Sequence, residues 1–187
     1  DSNRDAVEIT KQALSKAPRN ARLWCSLGAA ERKLAHMPAA RDAYEKAIEY
    51  DSNYSQAWCN LGEWHLASGN PKLALENFDR ALALEKDLIE ALNNRAATLY
   101  ELGRFADAEK AARAAIEIHP EVAALHVNLG NVLLHTGKAR PAVKSFRKAL
   151  ECDPACPEAH MNLATLFGES HRLAEALAFI EHQIAVK

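Results

Sequence analysis

A spacing of 34 residues governs this chain. Shifting the sequence by that interval aligns Trp24, Trp58, Leu92, His126 and His160 in one column. The next columns hold Leu27, Leu61, Arg95, Leu129 and Leu163, then Gly28, Gly62, Ala96, Gly130 and Ala164. A further column is alanine throughout: Ala6, Ala40, Ala74, Ala108, Ala142 and Ala176. Another stays apolar from Leu14 through Ile48, Leu82, Ile116 and Leu150 to Ile184. A chain with this self-similarity is built from stacked copies of one small unit, each packing on its neighbours.

The stretch Ser55 to Leu88 shows the unit clearly. Trp58, Leu61, Gly62 and His65 fall three or four residues apart, so they share one face of a helix. Ala74, Leu75, Phe78, Ala81 and Leu82 do the same for a second helix. Ser68-Gly69-Asn70-Pro71 separates them. Gly69 is expected to take the left-handed conformation that ends the first helix. Asn70 is expected to cap the second, with Pro71 in its first turn, where no amide hydrogen is needed. Asn20 is placed to cap in the same way. Gly62 and Ala74 are small enough to let the two helices approach closely.

The period and these residues resemble the tetratricopeptide repeat (TPR) family, whose unit carries Trp, Leu-Gly, an aromatic, then Ala, an aromatic and Pro. Trp58, Leu61-Gly62, Ala74 and Phe78 match it, as do Leu129-Gly130, Ala142, Phe146 and Pro154. Glu31 and His65 stand where the family has an aromatic, Ser52 and Lys86 replace the Pro, and Ala112 replaces a large residue. These departures imply local repacking within the same fold. The resemblance implies an all-α, right-handed solenoid of helix-turn-helix repeats. It would be a single solenoid over 1–187, with a half repeat at 1–20, full repeats at 21–54, 55–88, 89–122 and 123–156, and a last repeat at 157–187.

Composition excludes some functions. The chain has 23 Lys and Arg against 25 Asp and Glu, a net charge of −2. No overall basic field gathers nucleic acid or anionic lipid. No apolar run approaches the ~20 residues of a membrane span. The four cysteines do not form a disulfide pattern: Cys25 and Cys59 repeat one column, and Cys152 and Cys156 flank a turn. Free thiols suggest a reducing, cytoplasmic location. Cys152, Cys156 and His160 have a spacing that invites a metal, but His160 occupies a packing column, so no metal or cofactor is expected.

Function is expected on the first helix of each unit, which lines the inner side of a curved stack. Ser26, Asn60, Asn94, Asn128 and Asn162 form its most regular polar column, turned about 100° from the leucine column. An amide offers a donor and an acceptor together, so the ladder suits the backbone of an extended peptide. The alternative is that each Asn only braces a neighbouring helix. Each net hydrogen bond contributes about 0.5–1.5 kcal/mol. Four barely offset the ordering of a flexible peptide. Cys59, Asn93, Val127 and Met161 are therefore expected to add small side-chain pockets. Arg22, Arg32 and Lys33 lie early, and Glu63, Glu90, Glu101, Glu158 and Glu169 later, a gradient that would orient a charged ligand. In the last helix, Leu173, Leu177, Ile180 and Ile184 form a stripe with Phe179 beside it. That end is expected to meet more chain or a second copy, making a homo-oligomer possible.

No HExxH helix, phosphate loop, dinucleotide glycine pattern or nucleophile elbow occurs, so no catalytic site is expected. Within the TPR resemblance, the clamp for a chaperone carboxylate needs basic residues where this chain has Cys25, Ala29 and Glu90. The Asn column is similar to the substrate-holding superhelix of peptide O-linked N-acetylglucosamine transferases. Three roles follow: a scaffold binding a peptide of a partner protein, the recognition arm of a larger enzyme, or a self-association module.

Overall fold

The computed structural model describes residues 2–169. The stripe from Leu173 to Ile184 and Phe179 lie outside the described residues. Ten α-helices follow one another: α1 (Ser2–Lys16), α2 (Ala21–Lys33), α3 (Met37–Tyr50), α4 (Ser55–Ala67), α5 (Pro71–Leu84), α6 (Ile89–Glu101), α7 (Phe105–Ile118), α8 (Ala123–His135), α9 (Ala139–Cys152) and α10 (Pro157–Glu169). The described residues contain no strand. The fold is an all-α, TPR-like solenoid. The chain divides into two compact units, the first ending at Leu102 and the second beginning at Gly103.

In the first unit, α2 pairs with α3 and α4 with α5, and each hairpin packs on the next helix of the chain. The second unit repeats this arrangement with α8 and α9, flanked by α7 and α10. Close approach within each hairpin comes from one residue pair. A Cβ on Gly28 would sit 2.5 Å from the Tyr44 ring; on Gly62 it would sit 2.6 Å from Phe78, and on Gly130 2.4 Å from Phe146. All three rings are fully buried, as are Ala40, Ala74, Ala108 and Ala142. The glycine and alanine columns are therefore the contact line on which the paired helices close. Ala112, where the other units have a ring, is fully buried as well.

The turns repeat just as closely. Gly69, Gly103 and Gly137 have φ of 74°, 71° and 75°, the left-handed region that ends a helix without steric cost. The equivalent residue of the preceding unit is Ala35, which takes φ 60° with a Cβ to accommodate. Asn20 caps α2 by accepting from the Leu23 amide at 3.1 Å. Asn70 does not cap α5: its side-chain amide donates back to the Ser68 carbonyl at 3.1 Å. Pro71 at the first turn supplies the helix start instead.

The Trp and His column has a role that its apolar neighbours do not share. The indole N–H of Trp24 donates to the Pro18 carbonyl at 2.7 Å, and that of Trp58 to the Ser52 carbonyl at 2.9 Å. His126 Nε2 meets the Pro120 carbonyl at 2.8 Å, and His160 Nε2 meets Pro154 at 2.9 Å. In all four cases a ring nitrogen reaches the carbonyl six residues earlier, pinning the incoming turn to the helix. Histidine can replace tryptophan here because both present an N–H at the ring edge.

The departures from the family pattern carry local compensation. Glu31 is almost fully buried in α2, where its carboxylate meets His36 Nδ1 at 2.7 Å and Lys11 Nζ at 3.5 Å. Burial lowers the His65 pKa, which favours the neutral ring. Its Nδ1 has no hydrogen-bond partner among the described residues. Leu99 and Leu133 fill the same column in later units and are buried without a polar atom to satisfy.

Candidate peptide-binding face

Within the first unit, α2, α4 and α6 lie side by side, and the amide column runs across them. Asn60 of α4 donates through Nδ2 to Cys25 Sγ of α2 at 3.0 Å. Its Oδ1 accepts from Gln56 Nε2 at 3.1 Å. Asn94 of α6 donates to Glu63 Oε1 of α4 at 3.1 Å. The other oxygen of Glu63 accepts from the Arg32 guanidinium of α2 at 2.9 Å. A continuous chain from Arg32 through Glu63 to Asn94 thus crosses three first-type helices. In the second unit, Asn162 of α10 donates to Asn131 Oδ1 of α8 at 2.9 Å.

Each of these three asparagines therefore uses its N–H to grip the preceding first-type helix. The grip holds the side chain in one orientation. It also takes away one of the two functions an amide could offer a ligand. Asn60 has both ends engaged. Asn94 and Asn162 retain an Oδ1 acceptor, and both are half-buried. Asn128 is half-buried on α8 and makes contacts of its own.

The expected pockets separate into two groups. Cys59 is fully buried, packed with Ala74, Phe78 and Ala91, so it lines no accessible pocket. Burial pushes its thiol up to about 12. Val127 is likewise buried, at 7% exposure. Met161 occupies the same column but is open, so burial here is decided by which neighbouring helix covers the position and not by rotation alone. Asn93 is half-buried, Arg22 is exposed, and Met161 is exposed at 64%. Cys25, which receives the Asn60 amide, is buried, and its thiol is pushed up to about 11. It is a packing residue with a neutral S–H at ordinary pH.

The charge gradient is broken by an ion pair. Arg32 and Glu63 were expected at opposite ends, yet they bond each other, so their fields largely cancel. Arg22 and Lys33 remain exposed at the start, and Glu90 further on. Sequence reasoning found the amides but missed their partners. Glu63 and Asn131 lie 31 residues before Asn94 and Asn162, a spacing that the 34-residue ruler hides. The three residues Cys152, Cys156 and His160 go to separate partners: the Pro120 carbonyl, Glu158 and the Pro154 carbonyl. No helix among the described residues is long and apolar enough to cross a membrane.

Comparison with known proteins agrees with this architecture. Models of the tetratricopeptide repeat match residues 21–54, 55–88 and 93–154. A search of curated proteins finds no match. Among solved structures, the chain is similar to pilF of Pseudomonas aeruginosa, with 26% identity and a TM-score of 0.78 over 86% of this chain and 73% of that one. It is similar to YrrB, a TPR protein with an unusual peptide-binding site, at 20% identity and a TM-score of 0.71 over 97% of this chain and 94% of that one. MamA is similar at 23% identity and a TM-score of 0.70, over 79% of this chain and 86% of that one. Helix pairs closing on a glycine and an aromatic ring, repeated at one interval and matched by three repeat models, carry one conclusion: this chain belongs to the tetratricopeptide repeat family.

Proposed function

We propose that the chain is a protein-interaction scaffold that holds an extended peptide of a partner along its first-type helices. The supporting observation is the bracing of the amide column. Asn94 and Asn162 are fixed by bonds to Glu63 and Asn131, so each presents its Oδ1 from a defined position. An acceptor that is already ordered loses little entropy when a peptide N–H bonds it. In the first unit the peptide contacts then fall on Asn94, with Asn93 alongside, and in the second unit on Asn128 and Asn162. Asn60, engaged at both ends, serves the fold more than the ligand. Met161 supplies an exposed apolar contact in the second unit, and Arg22 attracts an acidic residue in the first. The similarity to YrrB, a TPR protein with an unusual peptide-binding site, supports the same reading.

The experiment is a peptide-array screen, repeated with the Asn94→Ala, Asn128→Ala double variant and with Asn162→Ala. Peptide signal should fall with each variant. Thermal melts of the same proteins separate binding from bracing, since losing one brace costs about 0.5–1.5 kcal/mol. A variant that melts lower but binds the same peptides equally well would reduce the amides to braces. Arg22→Glu should weaken acidic peptides more at low salt than at high salt.

A further inference from the structure

The second-type helices carry a charge pattern that the peptide reading does not use. Between Glu121 and Glu151 the sequence holds Lys138, Arg140, Lys144, Arg147 and Lys148, and no Asp or Glu. All five are exposed. Arg140, Lys144 and Arg147 are spaced by four and three residues, so they share one face of α9. That face is opposite in role to the buried one, where Ala142, Phe146 and Ala149 close on α8.

The cations of α7 extend the patch. Lys110 and Arg113 occupy, one period earlier, the columns of Lys144 and Arg147. Glu109 lies between the two helices and accepts from Arg113 and from Lys138, both at 2.8 Å. It ties α7 to α9, and its side chain is only 19% exposed. Glu151 is engaged by Lys148 at 2.8 Å.

The repeat supplies its own internal reference. The same two columns in the first unit read Glu8, Asp42 and Glu76, then Lys11, Glu45 and Asp79. These positions are exposed on equivalent helices, so the geometry is held constant while the sign changes. On α3 the signs are mixed and pair locally, with Arg41 near both Asp42 and Glu45. On α9 the charged residues from Arg140 to Lys148 are all basic, with Lys148 held by Glu151 and Arg147 making a contact of its own. Carboxylates of a partner would add to the contacts these cations already make.

We propose that the exposed faces of α7 and α9 dock an acidic segment of a partner protein. Chemistry selects that occupant. Arg140, Lys144 and Arg147 form a row on α9, and Lys110 and Arg113 stand on α7 beside the exposed Glu117; the basic row suits carboxylates spaced along a peptide or helix. The patch has no exposed aromatic to stack a base or anchor at a lipid interface, since Tyr50 of α3 is the only aromatic among the strongly exposed large apolar residues described.

The test is fluorescence anisotropy at low ionic strength with a labelled Glu-rich peptide and its Gln-substituted counterpart. The Glu peptide should bind and the Gln peptide should not, with affinity falling as salt rises. Lys144→Glu with Arg147→Glu should weaken binding about tenfold or more, as expected when two favourable contacts become two repulsive ones. Lys144→Gln with Arg147→Gln gives a milder loss and serves if the reversal disturbs the helix. Lys72→Glu on α5 should change little. Equal binding by the α9 variants overturns the proposal. So does a preference for phosphatidylserine vesicles or duplex DNA over the Glu peptide, or salt-sensitive self-association that occupies the patch. Peptide capture through Asn94 and Asn162 is read on separate variants, so the two readings fail independently.

Discussion

At the scale of the residue, one position shows strain that the repeat itself exposes. Three of the four equivalent turns use glycine at φ near 70°, and the remaining one uses Ala35 at φ 60°. A Cβ in the left-handed region costs about 1–2 kcal/mol, part of which glycine returns through its greater freedom when unfolded. Ala35→Gly should therefore raise stability by about 0.5–1 kcal/mol, and Gly137→Ala should lower it by a similar amount. Urea denaturation of the two variants checks both signs. An unchanged or lower midpoint for Ala35→Gly would show that the alanine is accommodated without strain. Tyr44 is a second such residue. Its ring does what Phe78 and Phe146 do, but it carries in addition a buried hydroxyl beside Arg32. Burial raises the phenol pKa, against the lowering effect of the nearby Arg32.

At the scale of the element, a ring nitrogen near the start of α2, α4, α8 and α10 fastens the preceding turn, while α6 carries Leu92 at that position. The bond matters because most helices here lack a side-chain cap: among α3 to α9, no N-cap residue makes one. His160→Leu should cost about 0.5–1.5 kcal/mol by leaving the Pro154 carbonyl unpaired. His160→Trp should retain the bond, since Trp24 and Trp58 make it from the same column. Comparing the two melts distinguishes an N–H role from simple bulk; equal melts would remove it. The helices themselves were legible in the sequence, because apolar residues at three- and four-residue intervals and glycines after them leave few choices. Asn70 was misread for a physical reason. A side chain that fits a cap can bond the preceding turn equally well, and Pro71 removed the need for it.

At the scale of the whole molecule, packing is between neighbours, and stability should follow from local interfaces. Three apolar clusters lie entirely within the first unit, centred on Tyr44, on Phe78, and on Val7 with Leu14 and Leu27. A fragment ending at Leu102 should therefore keep helical circular dichroism and melt cooperatively by itself. A fragment lacking helical signal would mean that these clusters depend on the second unit. Charge also divides by unit: two exposed columns hold mostly acids in the first, and Lys110, Arg113, Lys144 and Arg147 among the described residues of the second. A net charge of −2 averages this away, so bulk composition missed it.

The sequence by itself determined the repeat, the helix pairs, the turns and the identity of the amide column. These depend on periodicity and on residues whose backbone preferences are local, so a linear pattern records them. Only the tertiary structure decided what the amides touch, that Cys59 and Val127 face inward, and that Arg32 and Glu63 neutralise each other. Those outcomes depend on how one helix is rotated against the next. A rotation of one residue, about 100°, moves a side chain from groove to core, and no single helix carries the information to fix it.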